Sequence, residues 1–384
     1  MKLETLCNHQ KPPILDPENR PLNTPIYQSV KFTFDKLSQV KELFTGERNG
    51  YFYSRYKNPT VEQLEQLLAR AQNCEQGLAC GSGVSAISTT LLSLLNQGDQ
   101  VIYFIESYRP TRLIIEKILG KFGVSGVKLS LDDISGIEAA MKDPKTKLVI
   151  WESPSNPQVK VPDNESIVRL AKEHQVTTVL DNTFAGFHKN QDLEIDIYLH
   201  SLSKYAGGHG DVMGGVILSS RETIEKIHEY AVELGPVLDP HSAFLILRGM
   251  KTYQLRYDKQ VENTSKVAHW LKKQDSIENI FYPEFTSPSR EGQDFGTVLM
   301  FNLKDKSFNI ERFIDRLNLF QLSASLGSTE SLVAPALLFY GEDLSDAQRE
   351  KAGIDHTSIR LSLGIEDCDD LIQDLKLGLR LLES

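Results

Sequence analysis

Between residues 59 and 220 the chain alternates short, nearly unbroken apolar runs with segments whose apolar positions recur every three or four residues. In PTVEQLEQLLARAQ, Val61, Leu64, Leu67 and Leu68 fall on one stripe, and Pro59-Thr60 opens it as a helix start should. GLAC, VIYFI, KLVIW, TTVLD, DIYLHS and VILS read as strands, and VSAISTTLLSLLN, RLIIEKILGKFG and ESIVRLAKEHQ as the helices between them. Strands that lack polar alternation are covered on both faces, so the pattern predicts an α/β fold around a mostly parallel sheet. Residues 1–58 are rich in proline and polar residues (LDPENRPLNTPIYQSVKF) and read as an extended arm. The sheet domain is expected over 59–240, ending after the helical RETIEKIHEYAVEL and Gly235-Pro236. Residues 241–384, with longer helices and the strands GTVLMFNL and SIRLSLG, predict a smaller α+β domain.

Composition narrows the function classes. At 384 residues the chain exceeds one hydrophobic core. Its 40% hydrophobic content contains no unbroken run of membrane-spanning length. A net charge of −10, with Lys and Arg scattered, argues against nucleic acid and leaves small molecules and copies of itself as partners. The cysteines at 7, 74, 80 and 368 have neither CxxC spacing nor a nearby His pair, so reduced thiols are expected, with no metal site and no disulfide framework. Cys80 reads as a small buried residue rather than a nucleophile. The opening MKLETLCNHQKPP has no apolar core of an export signal, and a cytoplasmic location is expected.

In open parallel sheets ligands bind beyond the carboxyl ends of the strands, which directs attention to the residues ending each run. These are Gly81-Ser82-Gly83, Glu106-Ser107-Tyr108, Glu152-Ser153-Pro154-Ser155-Asn156, Asp181-Asn182-Thr183 and Ser201-Leu202-Ser203-Lys204. GSGVSA matches G-x-G-x-x-A, and Glu106 ends the next strand at the distance of a ribose contact, so a nicotinamide-dependent dehydrogenase is one reading. What the glycines encode physically is backbone N–H at a helix start, which suits any phosphate. Asp181 and Lys204, each ending a strand, form a structural ion pair on the plain reading. Hydroxyls at 201 and 203 and the glycines of GGHGD around Lys204 suit a phosphate cradle instead. A lysine desolvated among positive groups has a lowered pKa and forms Schiff bases. A phosphate site, an acid for a pyridinium nitrogen (Asp181), an aromatic for a flat ring (Tyr108) and that lysine are together the requirements of pyridoxal phosphate.

The sequence resembles the cystathionine γ-synthase family, the pyridoxal-phosphate enzymes of cysteine and methionine metabolism. YSRYKNPT (53–60), ESPSNP (152–157), DNTFA (181–185), SLSKYAGGHGD (201–211), LRGMKT (247–252), SLGSTESL (325–332) and IRLSLG (359–364) stand in the family's order. The resemblance implies a fold-type-I transferase architecture, aspartate-aminotransferase-like, with a seven-stranded sheet. It implies Lys204, Tyr108 and Asp181 as catalytic residues, Lys204 binding the cofactor and shuttling protons. Gly83, Val84, Thr183, Ser201 and Ser203 would join Tyr108, Asp181 and Lys204 in holding the cofactor. Tyr53 and Arg55 would reach the phosphate of a neighbouring subunit, which implies a homo-oligomer, typically a dimer of dimers. Asn156, Ser325 and Arg360 would bind the substrate, Arg360 clamping its α-carboxylate. His209, although beside the lysine, is left out of the site.

Departures from the family's pattern bear on the substrate. Relatives that cleave cystathionine at the γ-carbon carry acidic residues where this chain has Phe52 and Ala324; an apolar pair suits a substrate whose distal end is uncharged. YRPT (108–111) is of the β-lyase type, Arg109 has no assigned role, and TSPSREGQDFG (286–296) and APALLFYGEDLSD (334–346) are atypical. The expected activity is carbon–sulfur elimination at the β- or γ-carbon of a sulfur amino acid such as methionine or cystathionine. The alternatives are γ-replacement on an O-acylhomoserine, a non-catalytic regulator that binds the cofactor or an amino acid, and the dehydrogenase.

Overall fold

The computed structural model describes residues 1–9, 21–286 and 296–382. Seven strands form the large sheet: β1 (Gln76–Cys80), β2 (Gln100–Phe104), β3 (Ser125–Leu129), β4 (Thr146–Glu152), β5 (Thr177–Asp181), β6 (Ile197–Ser201) and β7 (Gly215–Ser219). Their order is β1-β7-β6-β5-β4-β2-β3. The pairs β2–β3, β2–β4, β4–β5 and β5–β6 are parallel, and only β7 runs antiparallel, to both β1 and β6.

Successive strand residues point to opposite faces, and here both faces are core. Ile102, Phe104, Val149, Trp151, Leu180, Tyr198 and Leu218 enter one buried cluster. Val101, Tyr103, Leu148, Ile150, Val179, Ile197, Leu199 and Ile217 enter the other. This is why the runs carry no polar alternation: most positions are inside. Truncating one such side chain, Leu180→Ala for instance, costs about 2–5 kcal/mol.

Two elements differ from the sequence expectation. β3 was not among the strands read from the pattern; as an edge strand, SGVKL leaves its first two residues exposed and has no apolar run. RLIIEKILGKFG is not one regular helix. A short α-helix (Arg109–Leu113) passes into a π turn (Ile114–Ile118) and then a 3-10 turn (Leu119–Phe122), ended by Gly123 at φ +79°.

The smaller sheet contains β8 (Ile277–Phe281), β9 (Val298–Leu303), β10 (Gln321–Leu322), β11 (Leu332–Pro335) and β12 (Ser358–Ser362), in the order β10-β11-β12-β9-β8. Phe301, Phe313, Val333, Ile359, Leu361 and Leu371 form its core. The helix Pro240–Met250 packs Ala243, Ile246, Leu247 and Met250 into the large-sheet core. The helix Tyr253–Leu271 links the two cores, with Tyr253 and Tyr257 in the first and Val267, Ala268 and Leu271 in that of the small sheet. A separate seam joins Ile105, just past β2, to Met300, Ala334, Tyr340, Leu344 and Ile354 of the C-terminal part. The atypical stretch 286–296 lies, but for its end residues, outside the described residues.

Candidate active site

The carboxyl ends of β2, β4, β5 and β6 open into a cavity of about 320 Å³, closed on the far side by residues 324–326, Tyr340 and Arg360. The β4–β5 register sets Glu152 beside Asp181, and β6 follows with Ser201 at its end. The chain then makes the tight turn that carries Lys204: the Lys204 N–H donates to Ser201 O at 3.3 Å, and Gly208 N–H to Lys204 O at 2.7 Å.

The glycines of this turn have a different purpose from the expected phosphate cradle. Gly208 sits at φ +74°, where a Cβ would lie 1.8 Å from Arg256 Nη1. Arg256 Nη2 donates to Tyr205 O (3.0 Å) and Gly249 O (2.8 Å), tying the lysine turn to the helix Pro240–Met250. Neither Gly207 nor Gly208 lines the cavity, and His209 turns its Nδ1 to Gly207 O at 2.7 Å. Gly207 and Gly208 serve close packing, a Cβ on Gly207 lying 2.6 Å from the Val212 side chain.

Lys204 Nζ donates to Ser325 Oγ at 2.9 Å. Burial, and then the nearby Arg360 charge, pull its ammonium from 10.5 down to about 8. Asp181 accepts from Thr183 N–H (3.1 Å) and Thr183 Oγ1 (2.6 Å). Burial raises its carboxyl above the ordinary range, against those hydrogen bonds. A cation facing Asp181 would reverse that shift. Glu152 accepts from Tyr108 N–H; burial, then the Asp181 charge, hold its carboxyl well above the ordinary value. The Tyr108 phenol, which lines the cavity, is likewise raised by burial and by Glu152 and Asp181.

Beside Lys204, the helix Gly83–Leu94 begins at Ser82, whose Oγ accepts from Ser85 N–H at 3.0 Å while Ser85 Oγ accepts from Ser82 N–H at 2.9 Å. The Gly83 and Val84 N–H groups, in its first turn, have no acceptor within the helix and face an electropositive end. A Cβ on Gly83 would lie 2.9 Å from that of Ser201, so glycine alone lets this helix start approach β6. Ser201 and Ser203 line the same corner.

Arg360, on β12, is only 2% exposed. Its Nη1 donates to Ser325 O (3.1 Å) and Tyr340 Oη (2.5 Å), and its guanidinium lies 5.5 Å from the Phe184 ring centroid. Its Nε and Nη2 have no hydrogen-bond partner, nor does the buried Asn156 Oδ1. Two nitrogens of a buried guanidinium are thus left without an acceptor at the cavity wall, a geometry able to take a bidentate anion such as a carboxylate.

Gly83, Val84, Tyr108, Asn156, Asp181, Thr183, Ser201, Ser203, Lys204, Ser325 and Arg360 all line this one cavity. Tyr53 and Arg55 do not: Arg55 Nη1 donates at 2.6 Å to Val232 O, on the helix Arg221–Leu234 of its own chain. Glu106 is excluded as a ribose contact, since its buried carboxylate accepts from Ser130 Oγ (2.8 Å), Leu131 N–H (3.2 Å) and Lys160 Nζ (3.3 Å). Sequence reasoning missed Glu152, Phe184, Met213, Leu326 and Tyr340 as lining residues. For Glu152 a signal was present, its position at a strand end; for Tyr340 there was none.

Comparison with known proteins agrees with this geometry. Residues 5–380 match the family model described as Cys/Met metabolism PLP-dependent enzyme. The chain is 35% identical to L-methionine gamma-lyase of Pseudomonas putida over 366 residues, 93% of this chain and 92% of that protein. It is 34% identical to cystathionine beta-lyase of Lactococcus lactis subsp. cremoris, covering 92% and 93%. A Campylobacter jejuni structure, assigned as an O-acetylhomoserine (thiol)-lyase, superposes with a TM-score of 0.91 at 31% identity over 99% of this chain and all of that one; it holds N'-pyridoxyl-lysine-5'-monophosphate. The residues present fit that group: an amine with lowered basicity, a buried acid, an aromatic face, and unpaired helix-start N–H groups flanked by two hydroxyls. The dehydrogenase reading falls with this match, and the chain belongs to the Cys/Met metabolism PLP-dependent enzymes, carbon–sulfur lyases and replacement enzymes whose cofactor is pyridoxal phosphate.

Proposed function

We propose that the enzyme is a carbon–sulfur lyase acting by elimination on a sulfur amino acid with an uncharged distal end, methionine foremost. The observation that carries this reading is the pairing, in one cavity, of the Lys204 amine with an Arg360 guanidinium whose Nε and Nη2 await a carboxylate. Beyond Lys204 the wall is apolar where a second ammonium would need an acid: Met213, Ala324 and Leu326 line it. Similarity to the Pseudomonas putida L-methionine gamma-lyase supports the same substrate.

Pyridoxal phosphate, when bound, supplies an aldehyde that condenses with amines and a ring that accepts electrons from the substrate α-carbon. Lys204 would hold it and afterwards take and return protons at the substrate carbons, a task suited to an amine whose pKa lies near neutrality. Asp181, anionic against a ring N–H, would keep that nitrogen protonated, with Thr183 fixing its orientation. Gly83 and Val84 N–H with the Ser201 and Ser203 hydroxyls would receive the phosphate. Tyr108 would cover the ring face, its backbone fixed by Glu152. Arg360, with Asn156 and Ser325, would orient the α-carboxylate and so the Cα–H bond whose proton is removed.

Tyr53 and Arg55 of a second copy would complete the phosphate site, making a dimer the smallest working form and a dimer of dimers the form the family resemblance implies; the position of Tyr53 and Arg55 outside their own chain's cavity supports the shared site. A cytoplasmic location belongs to the same reading, supported by four free cysteines of which three are buried. Among the described residues, no helix is long and apolar enough to cross a membrane. The test is incubation of the purified enzyme with L-methionine, L-cystathionine, and O-acetylhomoserine plus a thiol. Keto acid and thiol from methionine are expected. A new thioether from the homoserine ester, with no keto acid from methionine, would replace this reading with γ-replacement.

A further inference from the structure

YRPT (108–111), with Arg112 directly after it, and the atypical 334–346 stretch meet in the structure. Arg112 is 2% exposed and grips Asp343 with two nitrogens, Nε to Oδ2 at 3.0 Å and Nη2 to Oδ1 at 2.8 Å. The same guanidinium donates through Nη1 to Ile105 O (3.0 Å) and Ser107 O, the carbonyl preceding Tyr108. Through Nη2 it also reaches Tyr340 O at 3.3 Å. Arg109 adds a second cation, Nε lying 3.4 Å from Asp343 Oδ1. One buried side chain therefore touches the backbone beside Tyr108 on one side of the cavity and that of Tyr340 on the other.

Tyr340 Oη in turn accepts from Arg360 Nη1, leaving Arg360 Nε and Nη2 unpaired. We infer that the Arg112–Asp343 pair is a positioning clamp: by fixing Tyr340 it sets the orientation of Arg360 and hence the affinity for the substrate carboxylate. Tyr340 is then a specificity-determining residue, and Arg109, unplaced by its sequence position, reinforces the clamp from the surface. Core packing alone does not require so specific a device, because Ile105, Met300, Ala334 and Leu344 already close this seam with apolar contacts. A bidentate pair fixes direction, which apolar contact does not.

The inference rests on Arg360 receiving an amino-acid carboxylate, so the experiment measures binding rather than turnover. Cofactor-loaded enzyme is titrated with L-methionine and with L-methioninamide, which lacks the carboxylate, following the cofactor's visible absorbance; melting temperatures are recorded alongside. The variants are Tyr340→Phe, Asp343→Asn, and Arg112→Met combined with Asp343→Leu, the last replacing the pair with apolar side chains of similar bulk so that no charge is left buried. The unaltered enzyme should prefer methionine, and each variant should lose about tenfold of that preference, the double variant included, whose melting temperature falls only by what the Ile105 and Ser107 carbonyls lose with their donor. Unchanged discrimination in Tyr340→Phe and in the double variant overturns the clamp, whatever happens to stability. Equal binding of methionine and its amide by the unaltered enzyme also overturns it, because Arg360 is then no carboxylate receptor. Tight, selective binding of methionine without release of keto acid would fail the lyase reading alone, while the loss of selectivity in the variants would still establish the clamp.

Discussion

Lys204 and Arg360 face one cavity from opposite sides, and different forces hold the two sides. On the Lys204 side, Glu152, Asp181 and Ser201 sit at the ends of adjoining strands whose register is fixed by a backbone ladder and by apolar residues facing two cores. On the Arg360 side, β12 places the guanidinium, but its partner Ser325 comes from a connecting segment and Tyr340 from the end of the short helix Ala336–Tyr340, and Tyr340 is held by the Arg112 side chain across the seam between the sheets. A ladder position tolerates replacement of single neighbours. A position set by charged side chains changes when any one of them changes. Under the proposed function, the chemistry that all substrates share would be built on the half held by the strand ladder, and selection of the substrate on the half held by charged side chains.

The largest effect that would sharpen this contrast is at Lys204. Lys204→Ala should lower keto acid formation by about 10,000-fold while leaving the melting temperature of the cofactor-free protein nearly unchanged, since proton transfer by a placed base contributes that much and the ladder stays intact. Asp343→Ala, on the other half, should act on the fold: it strands the buried Arg112 charge, and denaturant unfolding should show a loss of about 3 kcal/mol. A stability change under half a kcal/mol would place the clamp among exposed ion pairs, which contribute little.

Arg360→Lys keeps the charge and loses the forked geometry. KM for methionine should rise by about 30-fold with kcat within a factor of about three, corresponding to roughly 2 kcal/mol of charged hydrogen bonding. An equal fall in kcat would mean that Arg360 acts in the transition state as well as in binding. The smallest effect concerns pH. With the Lys204 amine at about 8 instead of 10.5, its free fraction grows nearly tenfold between pH 6 and 7 and levels off above 8. Cofactor capture by the cofactor-free protein, followed by its absorbance, should show that profile; a rate still climbing tenfold per unit at pH 9 would contradict the lowered basicity.

Six of the seven large-sheet strands were readable as apolar runs because burial on both faces leaves a compositional mark. β3, half exposed at the sheet edge, leaves none. The irregular helix after Tyr108 was unreadable for a related reason: RLIIEKILGKFG has helical periodicity throughout, and periodicity does not separate an α turn from a π turn. Among site residues, Lys204, Asp181, Tyr108 and Ser201 were legible because strand ends are where such folds place ligands. The glycines after Lys204 were legible as glycines, but the purpose of Gly208 depended on Arg256, some fifty residues downstream.

The sequence by itself determined most of the large sheet and the cofactor, and pointed to the lysine proposed to hold it, since each follows from a local pattern: hydrophobic period, strand end, glycine at a helix start. Tertiary structure alone decided that Arg112 reaches Asp343, 231 positions away, and that Tyr340 meets Arg360 from a segment with no motif. Contacts of that kind depend on how two sheets dock, and docking geometry is a sum over many weak apolar contacts that leaves no signature at either charged end.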